Sequence, residues 1–284
     1  MAFELTDSLS LPGGTLKPNE DAFGHNGTAA AVLDGATGLG DVLMPGASDA
    51  AWIAQFGTRR LLAHLAAGQS PPKALRSALS DTEDSFKGLR RRPPDAQWEL
   101  PCASMMAAIE TGAERKRQVE FFWYGDCGAL LKTAAGVQMV GETLVKRAAE
   151  AKRAQAFAKL KNILPAAKFS RCELIGQLRK ARDFVNSGNY WLFSPDVMAA
   201  PHVMHAAFDG AAGAHLLLAS DGFLALASDY GAYDAPGLMA AALGKGLAAL
   251  GKELRTIEES DPDGDKYPRF KKSDDATAVL LKMT

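Results

Sequence analysis

Apolar, strand-like runs in this chain repeatedly meet an aspartate at one end. TAAAVLDG reaches Asp34, FFWYGDCG reaches Asp126, LLLASDG reaches Asp221, and the final run in SDDATAVLL starts behind Asp274 and Asp275. Asn19-Glu20-Asp21 sets a further acidic pair before a short extended piece. Taken singly, each reads as a turn, because Asp-Gly is among the commonest turn signals. Taken together they constrain the fold, since carboxylates gathered from distant strands repel, raise one another's pKa and cost stability unless a cation lies between them. Oxygen donors with no His or Cys at ligand spacing favour Mg²⁺ or Mn²⁺. Two such ions about 4 Å apart hold a phosphate ester and lower the pKa of a bridging water. The glycines of Asp34-Gly35 and Asp221-Gly222 are expected to let the backbone turn sharply, and at Gly35 to leave the carbonyl open to a cation.

The composition removes the competing classes. With 284 residues and 47% hydrophobic side chains the chain is long enough for a sizeable core, and neither disorder nor a fibrous repeat fits. Lys and Arg number 32 against 33 Asp and Glu, a net charge of -1, which lacks the basic excess of a general nucleic-acid binder. No apolar stretch is long enough to span a bilayer, and the opening MAFELTDSLS carries Glu4 and Asp7 where a signal peptide needs a basic start. Cys102, Cys127 and Cys172 have neither zinc spacing nor an even count for a disulfide framework. The expectation is a cytoplasmic monomer that binds no nucleic acid and no membrane.

Periodicity orders the rest. Residues 47–67 have helical spacing with Ser48 or Asp49 as cap, despite Gly57, and a second helix follows at about 71–89. The runs 102–112, 118–136 and 137–141 read as an antiparallel meander, which disfavours a parallel βαβ architecture. Residues 142–185 read as a basic helical insertion. Strand-like text resumes at 189–194, 202–209 and 214–222, followed by a helix around 235–259 and a last strand at 276–283. Lys87 and Arg90 to Arg92 read as a solvated helix end.

The order NED, VLDG, YGD, LLASDG and DDAT with a terminal strand resembles the metal-dependent protein phosphatase type 2C family over nearly the whole chain. The resemblance implies an α+β fold, a single domain over 1–284 built as a central sandwich of two antiparallel β-sheets flanked by helix pairs. It implies hydrolysis of phosphoserine and phosphothreonine in phosphoprotein substrates with two or three Mn²⁺ or Mg²⁺ ions, a metal-bound hydroxide being the attacking group. Carried over by position, Asp34 resembles the carboxylate bridging both core ions and Gly35 the carbonyl donor. Asp221 and Asp274 resemble the remaining core ligands, and Asp126 resembles a ligand of a weaker outer ion. Glu20 and Asp21 match the pair that orients metal-bound waters, and Asp275 stands where an asparagine is usual. Residues 142–185 fall where that family carries its flap.

Three positions depart from the family pattern. The phosphate-binding arginine four residues before the NED glutamate is Leu16, which leaves Lys17 as the nearest cation for the substrate phosphate. The histidine after Asp-Gly is Ala36, and the Thr-x-Asp-His element is not recognisable in GETLVK. A pseudophosphatase acting as a binding or regulatory module and a phosphatase for a small phosphorylated metabolite are therefore the alternatives.

Overall fold

Strand β3 (Ala29–Gly35) shows how the layers arise. Its run AAAVL is apolar at every position because both faces are buried: Ala29, Ala31 and Leu33 pack on helices, while Ala30 and Val32 pack on the opposite sheet. The computed structural model describes residues 3–15, 17–113, 116–141, 171–269 and 271–284. Its strands are β1 (Phe3–Leu11), β2 (Asp21–His25), β3, β4 (Ala103–Ala113), β5 (Lys116–Tyr124), β6 (Gly128–Thr133), β7 (Gly136–Val140), β8 (Met204–Asp209), β9 (His215–Ala219) and β10 (Ala276–Met283). They form two five-stranded sheets, ordered β1-β10-β9-β6-β7 and β2-β3-β4-β5-β8, with every pairing antiparallel.

Val32, Met106, Phe121, Leu131, Leu218 and Val279 fill the space between the sheets. Helices α1 (Asp49–Ala66) and α2 (Pro71–Leu89) cover the second sheet through Ile53, Leu61, Leu75 and Leu79. On the first sheet lie α4 (Asp221–Ser228), α5 (Ala235–Lys245) and α6 (Leu247–Ser260), burying Phe223, Leu238, Leu250 and Leu254. Helix α3 (Arg171–Arg182) is the described part of the expected basic insertion; residues 142–170 lie outside the described residues. Among the described residues no helix is long and apolar enough to cross a membrane.

Four details differ from the sequence expectation. The run 102–141 is two hairpins in different sheets, because Gly125, at φ 70°, carries the chain from β5 across to β6. Residues 189–194 make only the isolated bridges Ala103–Phe193 and Ser187–Tyr190 instead of a strand. The helix expected at 235–259 is two helices, broken at Gly246 with φ 83°; Asp7, next to a bulge in β1, caps the second by accepting from the Leu247 N–H at 2.7 Å. Asp221 opens a helix where a turn was expected. The basic run also proves more structured than a solvated end. Arg92 grips Glu99 with two bonds of 2.8 and 2.7 Å, a bidentate pair that draws the Glu99 carboxyl down to about 2.

Helix α1 is set against the sheet by a missing side chain. A Cβ at Gly57 would lie 2.6 Å from the Phe193 ring and 2.9 Å from Leu33 Cδ2, and both neighbours are fully buried. Propensity alone favours alanine in a helix by about 1 kcal/mol, whereas overpacking a filled core costs about 1–3 kcal/mol. Gly57→Ala should therefore lower the urea midpoint, while Gly244→Ala, where a Cβ meets nothing within 4 Å, should leave it unchanged or raise it. A higher midpoint for Gly57→Ala would show that α1 is not held in this contact.

Candidate metal centre

The carboxylates converge because adjacent strand ends converge. Asp21, the first residue of β2, lies directly opposite Asp34 in the β2–β3 register, and Asp34 lies opposite Ser104 of β4. Like charges facing each other across a strand pair destabilise a sheet. Asp126 enters from the crossing between the sheets, and Asp221 from the first turn of α4. Asp34, Asp126 and Asp221 each offer a carboxylate oxygen, and these oxygens all lie within 4.8 Å of one another. That spacing suits a shared hard cation.

The electrostatics record the crowding. Burial pushes the Asp34 carboxyl well above the usual carboxylate range, and the charges of Asp21, Asp221, Asp274 and Asp126 push it further. Burial likewise raises Asp21 to about 8, with Asp221 and Asp275 adding to the shift and bonds from Ser220 and Thr277 opposing it. The Ser220 hydroxyl donates to Asp21 Oδ2 at 2.7 Å, while buried Asp21 Oδ1 has no hydrogen-bond partner among the described residues. A buried carboxylate oxygen without a donor, beside three converging carboxylates, is the donor set of a divalent-cation site. The residues present fit Mn²⁺ or Mg²⁺.

Neither Asp-Gly pair is a turn. Gly35 ends β3, where a Cβ would meet the Ala50 carbonyl oxygen at 2.3 Å and the Glu20 carbonyl oxygen at 2.8 Å. Gly222 lies in the first turn of α4, where a Cβ would meet the Asp275 carbonyl oxygen at 2.0 Å. Both glycines permit close passage of neighbouring backbone, which draws Asp34 toward the start of α1 and Asp221 toward the segment carrying Asp274. Neither residue has a positive φ, so glycine is required here by the close passage of backbone and not by a left-handed conformation.

The remaining candidates take defined places. Glu20 is buried and its two oxygens accept from the hydroxyls of Thr37 and Ser48, which fastens the loop after Gly35 to the cap of α1. Asp275 accepts the N–H groups of Gly13 and Glu20 at 2.6 and 2.8 Å and so clamps the segment before β2. The Ser104 hydroxyl donates to Asp126 Oδ1 at 2.6 Å. Asp274 stands apart from the trio, with its two oxygens accepting from Lys271 Nζ at 2.7 and 2.9 Å. Lys17 is exposed. Arg179 and Arg182 of α3 donate to the carbonyls of Leu39 and of Ala36 and Thr37, so these two basic residues of the expected flap hold the loop beside Gly35. Arg179 also stacks on Trp98 with its guanidinium carbon 4.0 Å from the ring centre.

Sequence reasoning missed Lys271. Desolvation of its ammonium beside the carboxylates would lower its pKa, yet the charge of Asp274 and the hydrogen bonds to it, then the charges of Asp34 and Asp221, raise it and keep the ammonium protonated. The available signal was a lysine three residues before Asp274, which carries no meaning until the loop closes.

No known family model matches the chain, and no curated protein matches it. Solved structures do. The catalytic domain of the serine/threonine protein phosphatase PstP, in complex with two manganese ions, is 15% identical, with a TM-score of 0.56 over 99% of this chain and 98% of that one. PstP/Ppp of Mycobacterium tuberculosis gives 15% identity and 0.54 over 100% and 99%, and Stp1 of Staphylococcus aureus gives 13% and 0.54 over 100% and 97%. The chain thus has the fold of bacterial PP2C-type serine/threonine phosphatases.

The Asp21 shift has a measurable consequence in metal-free protein. An unfolded aspartate titrates near ~3.9, whereas burial pushes the folded Asp21 carboxyl up to about 8. Between those values the unfolded chain gives up a proton that the folded chain keeps, so stability falls as pH rises through the window. In EDTA the melting temperature should be lower at pH 8 than at pH 5.5, and Asp21→Asn should shrink that difference. An undiminished difference in the variant would remove Asp21 as its source.

Proposed function

We propose that this protein is a divalent-metal-dependent phosphatase acting on phosphoserine and phosphothreonine in proteins. The observation that supports it most directly is the trio Asp34, Asp126 and Asp221, brought within 4.8 Å from three distant segments in the fold of PP2C-type phosphatases. Asp34, Asp221 and Asp274 would hold the ions with the Gly35 carbonyl, and Asp126 would serve a further, weaker one. When bound, Mn²⁺ or Mg²⁺ would neutralise the carboxylates, bind the phosphate's non-bridging oxygens and lower the pKa of a coordinated water.

The chain's own residues set the geometry. Asp21, opposite Asp34 and with one oxygen undonated, is placed to accept a proton or orient a water. Glu20 acts one step back by holding Thr37 and Ser48, which fixes the loop through which the chain leaves Gly35. Lys17, exposed and four residues ahead of Asp21, is the proposed phosphate-facing cation of the N-terminal segment. Buried free thiols at Cys102 and Cys127 suit a reducing compartment.

Turnover of p-nitrophenyl phosphate and of a phosphothreonine peptide with Mn²⁺ tests the reading. Asp34→Asn should lower either rate well over ~10-fold, a barrier increase above ~1.4 kcal/mol, while the circular dichroism spectrum stays that of the wild type. A folded wild type with no Mn²⁺-dependent turnover of either substrate would favour a pseudophosphatase. Turnover of the small ester with none of the peptide would favour a metabolite substrate.

A further inference from the structure

The loop between α6 and β10 is bound unusually tightly for a connection. Arg269 donates from Nε to the Lys272 carbonyl at 3.0 Å and from Nη1 to Asp261 at 2.8 Å and to the Tyr267 carbonyl at 3.0 Å. Asp261 in turn accepts the N–H groups of Lys266 and Tyr267 at 3.1 and 3.0 Å. Arg255 ties down the far end by donating to the Asp274 carbonyl at 2.9 Å and the Pro12 carbonyl at 3.0 Å, while its other nitrogen holds Glu258 at 2.7 Å. Lys271 is thus presented from a braced backbone, not from a free loop tip.

That bracing delivers an ammonium to the acidic centre. Lys271 Nζ donates to both oxygens of Asp274, at 2.7 and 2.9 Å, and the side chain keeps about half its surface in solvent, 54%. Asp274 was expected to be a metal ligand, yet the trio of close oxygens is Asp34, Asp126 and Asp221 without it. The geometry points to Lys271 as a resident counter-cation that occupies Asp274 and must be displaced before a divalent ion can use that carboxylate. This inference rests on the metal-phosphatase reading above.

The chemistry follows from charge balance. An ion approaching Asp274 must break two charge-assisted hydrogen bonds and come close to a unit positive charge, and both effects weaken its binding there. An ion held by Asp34, Asp126 and Asp221 faces the charge but breaks no bond to Lys271. Loading should therefore proceed in two stages, with one ion tight and the ion that takes Asp274 weaker by an amount that Lys271 sets. Half exposure gives the released ammonium somewhere to go.

Calorimetric titration of metal-free wild type, Lys271→Met and Lys271→Arg with Mn²⁺ tests this without reference to turnover. Lys271→Met should bind the weaker ion at least ~10-fold more tightly, or show one more tight ion than the wild type, and Lys271→Arg should behave as the wild type. Unchanged or weaker binding in Lys271→Met would overturn the inference, as would tightening in Lys271→Arg equal to that in Lys271→Met. If Lys271→Met loses its fold in EDTA because Asp274 is left uncompensated, recovery of the native circular dichroism spectrum on adding Mn²⁺ would support the exchange, and no recovery would overturn it. A wild type that binds no Mn²⁺ at all would instead sink the metal-phosphatase reading.

Discussion

Repulsion between carboxylates at the converging strand ends is the constraint around which this molecule is arranged. Asp21 faces Asp34 across β2 and β3, and Asp126 and Asp221 bring further charge to within a few ångströms. A flexible scaffold would relax by letting these groups part. Here each stands on an element it cannot easily leave: Asp34 on a strand buried on both faces, Asp221 on the first turn of a helix sunk in the core, and Asp126 on a crossing held by the Ser104 hydroxyl. Core packing therefore stores the repulsion, and a cation of charge two relieves more of it than a proton can.

The same logic explains why the polar atoms around the centre are spent on backbone. Asp275 clamps Gly13 and Glu20, Glu20 clamps Thr37 and Ser48, and Asp49 accepts the N–H groups of Leu43 and Met44. Each of these carboxylates has its oxygens matched to donors, so it holds a loop and leaves the cation to others. Asp21 differs from them in having one oxygen matched and one buried without a donor.

Much of this was legible in the chain because two periodicities are local. The buried strands declared themselves as apolar runs, and α1 and α2 as 3.6-residue patterns with a serine at the first cap. The Asp-Gly dipeptides were misread for an equally physical reason. A dipeptide reports its own turn propensity, but Gly35 is required by the Ala50 carbonyl and Gly222 by the Asp275 carbonyl, contacts with segments far away in sequence. The split of β5 and β6 between sheets and the break at Gly246 were hidden for the same reason: a hairpin turn and a sheet-to-sheet crossing look alike in sequence, and the cap that starts α6 comes from Asp7.

The site's charge was the least legible property, since it depends on which side chains the loops return to the centre. From the sequence, the loss of an arginine at Leu16 left Lys17 as the nearest cation for the substrate phosphate, and the basic stretch at 142–185 fell where the family carries its flap. Of that stretch, Arg179 and Arg182 are committed to loop carbonyls, whereas among the described residues a cation that does reach the carboxylates is Lys271, from a loop that also holds five acidic or basic neighbours between Asp261 and Asp274. A lysine among lysines carries no signal. What distinguishes Lys271 is the brace of Arg255 and Arg269 behind it, for an ammonium ordered by its own backbone loses less entropy on pairing than one on a free chain. An acidic centre that keeps such a partner can fold before any metal arrives, and it surrenders some affinity for metal in return.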